Sequence, residues 1–263
     1  MIGRRAQDVA PIGEGEIARR RAIELELWRS SPSERPESNS LHNIVNKAQD
    51  AAILLDLIER FRGRFERAER ILELGGGQGW ASCVVKGLFP DAHVTTTDLS
   101  TDAVASVGKW ERIFEVELDG AEACTSDYLP LGDESQDLVF CFSAAHHFVK
   151  HGRTLREMHR VLAPSGSGVY LHEPACSEYL YGAAVRRVNR KRPEVPEDVL
   201  RFKELARLAE AVGLHCEVDF YPTTARRGPA ETAYYTLLGA SGTLQRLLPC
   251  TANFVFTKGL PER

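Results

Sequence analysis

Residues 71–79 read Ile-Leu-Glu-Leu-Gly-Gly-Gly-Gln-Gly, a short apolar run closed by an acid and by glycines at 75, 77 and 79. A strand that stops at glycines lets backbone amides approach a ligand closely, and the helix that follows offers its electropositive N-terminus to it. The segment predicts a nucleotide-type cofactor site and a strand-turn-helix unit of an α/β fold. A dinucleotide fingerprint would need Gly or Ala at position 80, where helix and strand pack closely. Trp80 stands there instead, which argues against a nicotinamide oxidoreductase.

The spacing Glu73-x-Gly75-x-Gly77-x-Gly79 resembles motif I of the class I S-adenosylmethionine-dependent methyltransferases, and further segments follow in that family's order. Residues 93–99, His-Val-Thr-Thr-Thr-Asp-Leu, form a β-branched run ending in Asp98. That is about 20 residues past the glycines, where doubly wound folds place the acid that accepts ribose hydroxyls. The stretch from Cys124 through Asp127 and Tyr128 resembles the family's third strand end. Residues 133–148 resemble its D-x-S-F-D-x-V strand, with Gln136 in place of Phe and with the pair His146-His147 after it. Residues 155–166 resemble its helix before the fifth strand, with a Pro-x-Gly turn. The matches span roughly residues 65–174. The resemblance implies S-adenosyl-L-methionine as cofactor, held by Glu73, Gly75, Gly76, Gly77, Gln78, Gly79, Asp98, Leu99, Asp127, Tyr128 and Ser143. Asp127 would meet the adenine amino group, with Tyr128 beside it.

From residue 70, apolar strand candidates at 70–75, 93–98, 121–126, 137–143, 167–173, 214–220 and 251–257 alternate with helical patterns. They imply a doubly wound α/β fold with a seven-stranded, mostly parallel sheet covered on both faces, and the resemblance implies an antiparallel last strand. Ahead of it lie a weakly amphipathic helix over 14–30, a breaker-rich linker over 31–40 and a long helix from Leu41 with apolar positions at 44, 45, 51, 54, 55 and 58. Residues 1–40 are read as a helix and linker that cover the site, and 41–263 as the catalytic domain with an inserted helical lid at 174–196. After the insertion, Pro196 with Glu197 and Asp198 predicts a helix over about 197–212, ended by Gly213. Residues 221–248, with Arg226 and Arg227, form a second irregular segment.

The chain carries 263 residues, a net charge of −4, 43% hydrophobic residues and six dispersed cysteines without a C-x-x-C pair. Near-neutral charge gives no reason to expect polyanion binding, so nucleic acid is a disfavoured partner. The cysteines read as reduced thiols. No apolar run approaches a membrane span, and Met-Ile-Gly-Arg-Arg at the N-terminus lacks the apolar core of a signal peptide, so a cytoplasmic location is expected.

His146 and His147 are the candidates for acid-base chemistry, because an imidazole titrates near cytosolic pH and can take a proton from an attacking hydroxyl. The family reading equally allows one to face the ligand and the other to pack. Glu173, after His172 at the end of the fifth strand, is the third catalytic candidate. His147 and His151 stand four apart, as metal ligands on a helix can, but no third ligand with convincing spacing follows, and no metal is expected. Arg186-Arg-Val-Asn-Arg-Lys-Arg192 places five positive charges in seven residues. It reads either as a clamp for an anionic acceptor or as a solvated helix face. The activity expected is methyl transfer to a small-molecule or carrier-linked acceptor, at oxygen or nitrogen. The alternatives are an RNA methyltransferase, disfavoured because Ser143-Ala-Ala-His146 replaces the Asn/Asp-Pro-Pro-aromatic turn, and a non-catalytic cofactor-binding subunit.

Overall fold

The computed structural model describes residues 14–31, 41–191 and 197–259. All but Ser31 of the expected linker lies outside them, as do Arg192 and Pro196. Two helices lead, α1 (Glu14–Ser30) and α2 (Leu41–Arg60), followed by a short α3 (Arg62–Glu66). The chain then alternates β1 (Arg70–Leu74), α4 (Trp80–Leu88), β2 (His93–Asp98), α5 (Thr101–Ala105), α6 (Val107–Phe114), β3 (Gly120–Ala123), β4 (Gln136–Phe142), α7 (His151–Val161) and β5 (Leu162–Cys176). It closes with α8 (Tyr181–Lys191), β6 (Leu200–Arg201), α9 (Phe202–Glu210), β7 (Leu214–Phe220), α10 (Pro229–Gly239), α11 (Gly242–Leu247) and β8 (Cys250–Lys258).

The strand order is β3-β2-β1-β4-β5-β8-β7, with the two-residue β6 beside the end of β5. Pairings from β3 through β5 are parallel, and β8 runs antiparallel to both its neighbours. The expected sheet is therefore present, with an eighth strand added. Alternation along the strands divides the core. Ile71, Leu138, Phe140 and Phe142 join α2 and α4 on one face, while Leu72, Leu74, Val139 and Cys141 join α7 and α9 on the other. The order reverses between β1's neighbours β2 and β4, and the crevice at their carboxyl ends is where sheets of this kind bind ligands.

Three expectations need correction. On α2 the buried apolar side chains are Ile53, Leu54, Leu57 and Ile58, while Ile44, Val45 and Leu55 are exposed. The helix expected from 197 begins only at Phe202, because residues 200–201 pair with Ala175 and Cys176 of β5. Its N-terminal amides are met by Glu178, whose Oε1 accepts from Lys203 N and Glu204 N, so the capping acid comes from 25 residues away. The segment 221–248 is largely helical, containing α10 and α11. All six cysteines are free thiols, four of them buried. Among the described residues no helix is long and apolar enough to cross a membrane.

Candidate active site

A cavity of about 530 Å³ opens at that crevice. Its floor is the glycine loop. Gly75, Gly77 and Gly79 all have positive φ, which L side chains rarely adopt. At Gly76 the constraint is steric, since a Cβ there would run into Thr96 Oγ1 and Glu73 Oε2. Glu73 is buried and accepts from Ser82 N (3.1 Å), Ser82 Oγ (2.5 Å) and Thr96 Oγ1 (3.2 Å), tying the loop to the first turn of α4. Burial pushes its pKa up to about 7 against those hydrogen bonds. Asp98 accepts from Gly77 N at 2.9 Å and from Ser100 N at 2.8 Å, one bond on each oxygen, and burial raises it to about 6. Trp80 packs edge-on against Phe142 at 5.6 Å, where a dinucleotide fold would need a small residue.

Of the cofactor residues expected from sequence, Glu73, Gly75, Gly76, Gly77, Gln78, Asp98, Leu99 and Ser143 line this cavity. Gly79 lies behind it as the left-handed cap of α4. Tyr128 is 73% exposed and lies outside the lining. Asp127 is also outside, its carboxylate held at 2.6 Å by Arg21, while the wall there is made by Cys124, Thr125 and Ser126.

The opposite wall comes from the ends of β4 and β5. Ser143, just past β4, and His172, at the irregularity in the β5–β8 pairing, have positive φ, conformations that cost energy and cluster at functional sites. Glu173, the third catalytic candidate, is fully buried behind the wall and does not line the cavity. Its Oε1 accepts from Ala144 N and Ala145 N, each at 2.8 Å. Its Oε2 lies 3.2 Å from His146 N and 2.9 Å from His146 Nδ1. Burial opposes its charge, yet these donors hold its pKa below the ordinary carboxylate value. A carboxylate so placed receives the Nδ1 proton of His146 and leaves Nε2 as the acceptor. Beside it His172 stacks on Phe142, and burial lowers its pKa to about 4, so it is neutral at pH 7. Its Nε2 is buried without a hydrogen-bond partner among the described residues.

The roof was legible in the sequence only as a cover expected from residues 1–40, not residue by residue. Arg20, Arg21, Glu24 and Leu27 of α1, and Asn46, Lys47, Asp50 and Ile53 of α2, complete the lining with Ala225, Arg226 and Arg227. Neither Arg186 nor Arg190 of α8 reaches the cavity; the arginines that do are paired, Arg226 with Asp50 and Asn46, Arg227 stacked 3.3 Å over Tyr235. Polar residues four apart on α2, Asn46 and Asp50, are a signal that could have pointed to this wall.

Ile17 is the one fully buried side chain among those described on α1. Ion pairs hold the helix instead: Glu14 to Lys150 and Arg153, Arg21 to Asp127, Arg29 to Asp102, and Glu24 to His147 at 3.3 Å. Burial works against the charged form of His147, but Glu24 outweighs it and raises the pKa above the usual histidine value. A raised histidine contributes stability that is full below its unfolded pKa near 6.5 and is lost as pH rises through the folded value. Hydrogen exchange in residues 14–30, corrected for intrinsic rate, is therefore expected to speed up several-fold between pH 6 and pH 8.5, and again on adding 0.5 M salt. Protection independent of both would mean that packing, not charge, docks α1.

The family model described as a methyltransferase domain matches residues 72–170. The uncharacterized methyltransferase YcgJ of Bacillus subtilis (strain 168) is 28% identical over 128 residues, 48% of this chain and 49% of that protein. The chain thus matches about half the length of this curated relative. The crystal structure of YcgJ aligns with a TM-score of 0.57 at 17% identity, covering 80% of this chain and 99% of that one. Geranyl diphosphate C-methyltransferase from Streptomyces coelicolor A3(2) aligns with a TM-score of 0.67 at 12% identity, covering 95% and 100%. Together with the strand order and glycine loop above, these likenesses support reading the chain as a class I methyltransferase.

Proposed function

We propose that this chain transfers a methyl group from S-adenosyl-L-methionine to a small-molecule acceptor at oxygen or nitrogen. The observation that carries the reading is a single cavity with the glycine cradle and Asp98 on one wall and the His146–Glu173 pair on the other. The residues fit the cofactor: a Cβ at Gly76 would be blocked, and Asp98 stands at the end of β2 with spare lone pairs for a ribose diol. When bound, the cofactor supplies an electrophilic methyl on a sulfonium. Gly75–Gln78, Asp98 and Leu99 would hold it, and Trp80 would pack beside it.

The chain's remaining work is to orient the acceptor and manage its proton. His146 Nε2, left as acceptor by Glu173, would take a hydroxyl or ammonium proton, and neutral His172 would offer a hydrogen bond from the same wall. The roof made by α1 and α2 supports a small acceptor, since a cavity of this volume is of the order used for drug-sized ligands. Arg226 and Arg227 support an anionic group on it. The S. coelicolor relative's methylation of geranyl diphosphate at carbon marks carbon as the acceptor atom to test beside oxygen and nitrogen.

Calorimetry is expected to detect binding of S-adenosylmethionine or S-adenosylhomocysteine, and Asp98→Ala to weaken it by about 1–3 kcal/mol, the cost of hydroxyls left unpaired. Equal affinity of variant and parent would remove Asp98 from the site, and preference for a nicotinamide dinucleotide would overturn the reading. Incubating metabolite fractions with a deuteromethyl cofactor and following the mass shift identifies the acceptor.

A further inference from the structure

His146, His147 and Glu197 each offer a ligand atom to one corner of the cavity, and these atoms all lie within 4.8 Å of one another. The third member was invisible at sequence level, because Glu197 is 50 positions from His147. It is delivered by a pinned strap. Asn189 of α8 donates from Nδ2 to Glu197 O at 2.8 Å and accepts from Glu197 N at 3.0 Å, and Asp198 N donates to His146 O at 3.0 Å. The insertion read as a lid thus fixes the backbone of Glu197 against the histidine turn.

Both imidazoles have a carboxylate at Nδ1. Nδ1 of His146 lies 2.9 Å from Glu173 Oε2, and Nδ1 of His147 lies 3.3 Å from Glu24 Oε2. A histidine whose Nδ1–H is given to a carboxylate is fixed in the tautomer that coordinates through Nε2, the arrangement usual behind metal-bound histidines. We infer that His146, His147 and Glu197 hold a divalent first-row transition cation of the zinc type. Two imidazoles and one carboxylate suit zinc, cobalt, nickel, iron or manganese better than magnesium or calcium, which prefer all-oxygen sites. Tetrahedral bonds of about 2.0 Å place ligand atoms about 3.3 Å apart, so side-chain rotations of the order of an ångström close the site. Three protein ligands leave a position open to the cavity.

That open position selects the acceptor class. It rests on the methyl-transfer reading, and it adds that the acceptor coordinates the cation through an oxygen donor, a hydroxyl or an adjacent carboxylate. Coordination lowers a hydroxyl's pKa, so its proton leaves to solvent on binding. His146 Nε2 is then a ligand, and it serves as proton acceptor only in the cation-free protein.

The test uses the full chain, purified without a polyhistidine tag and stripped with a chelator. Titration with Zn²⁺ or Co²⁺ is expected to fill one site with a Kd of micromolar or tighter, and the Co²⁺ form to develop visible absorption. Glu197→Gln and His147→Gln should each weaken binding at least tenfold. S-adenosylhomocysteine binding by Glu197→Gln, equal to the parent's, checks that this variant is folded. Lack of saturable binding, or binding unchanged in both variants as thiol coordination would give, overturns the site. Failure of the parent to bind S-adenosylhomocysteine would remove the methyl-transfer reading and leave the cation titration standing by itself.

Discussion

Glu173→Ala is expected to lower stability by about 3–5 kcal/mol, the cost of stripping the acceptor from several buried backbone donors at once. The physical reason is the turn after β4. Its amides at Ala144, Ala145 and His146 all donate to Glu173, in a place no solvent reaches. Alanine leaves three buried donors without acceptors, at about 1–3 kcal/mol each before relaxation. Urea titration measures the loss. Glu173→Gln separates fold from chemistry. One side-chain oxygen can still serve Ala144 and Ala145, but the amide nitrogen then confronts His146 N and Nδ1, so the imidazole loses the partner that sets its tautomer. Stability should fall less than in the alanine variant, while turnover drops about 10²-fold or more with cofactor affinity nearly unchanged. A glutamine variant with parental turnover would reduce Glu173 to a structural tether.

Gly76→Ala is expected to lower stability by about 2–3 kcal/mol and cofactor affinity by tenfold or more. A methyl group there meets Glu73 Oε2 at 2.6 Å and Cδ at 2.8 Å as well as Thr96 Oγ1, and both side chains are buried and already bonded. The loop must lift, which moves the amide of Gly77 away from Asp98. Gly15→Ala in α1 is the control: nothing lies within 4 Å of its would-be Cβ, and alanine in a helix is neutral to favourable. Thermal melting and calorimetry with S-adenosylhomocysteine check both variants. If Gly76→Ala melts and binds like the parent, the cradle tolerates a side chain and the steric argument fails.

The floor of the site was legible because its chemistry is local. Alternating glycines, the acid ending β2 and the histidine pair after β4 sit at element ends, where strand periodicity places them at the crevice. What escaped depends on contacts between distant segments. Asp127 looked like the adenine acid from the resemblance of its stretch to the family's third strand end, and nothing in that stretch announced Arg21 on a helix 106 positions earlier. The density of α8 in arginine suggested a clamp, yet its contribution at the cavity runs through one amide, Asn189, and through the backbone of Glu197. The late start of α9 escaped for the same reason: local residues offered Glu197 and Asp198 as first-turn acids, but pairing of residues 200–201 with β5 took precedence. Local propensity yields to tertiary pairing when the two compete for the same backbone groups.

The strand order divides ownership of the cavity. Glycine loop, Asp98 and Leu99 belong to β1 and β2, whereas His146, His147, His172 and Glu197 all follow β4. At the cavity the halves meet at a seam where a Cβ on Gly75 would stand 3.0 Å from that of Ala144 and 3.3 Å from Phe148. Changes in the later half can thus retune which molecule is accepted while donor recognition stays intact, provided the seam keeps its small residues. Enlarging Ala144 would wedge the two halves apart and misalign every partnership across the gap, however well each half still folds. For engineering a new acceptor preference, the seam is the boundary to leave alone.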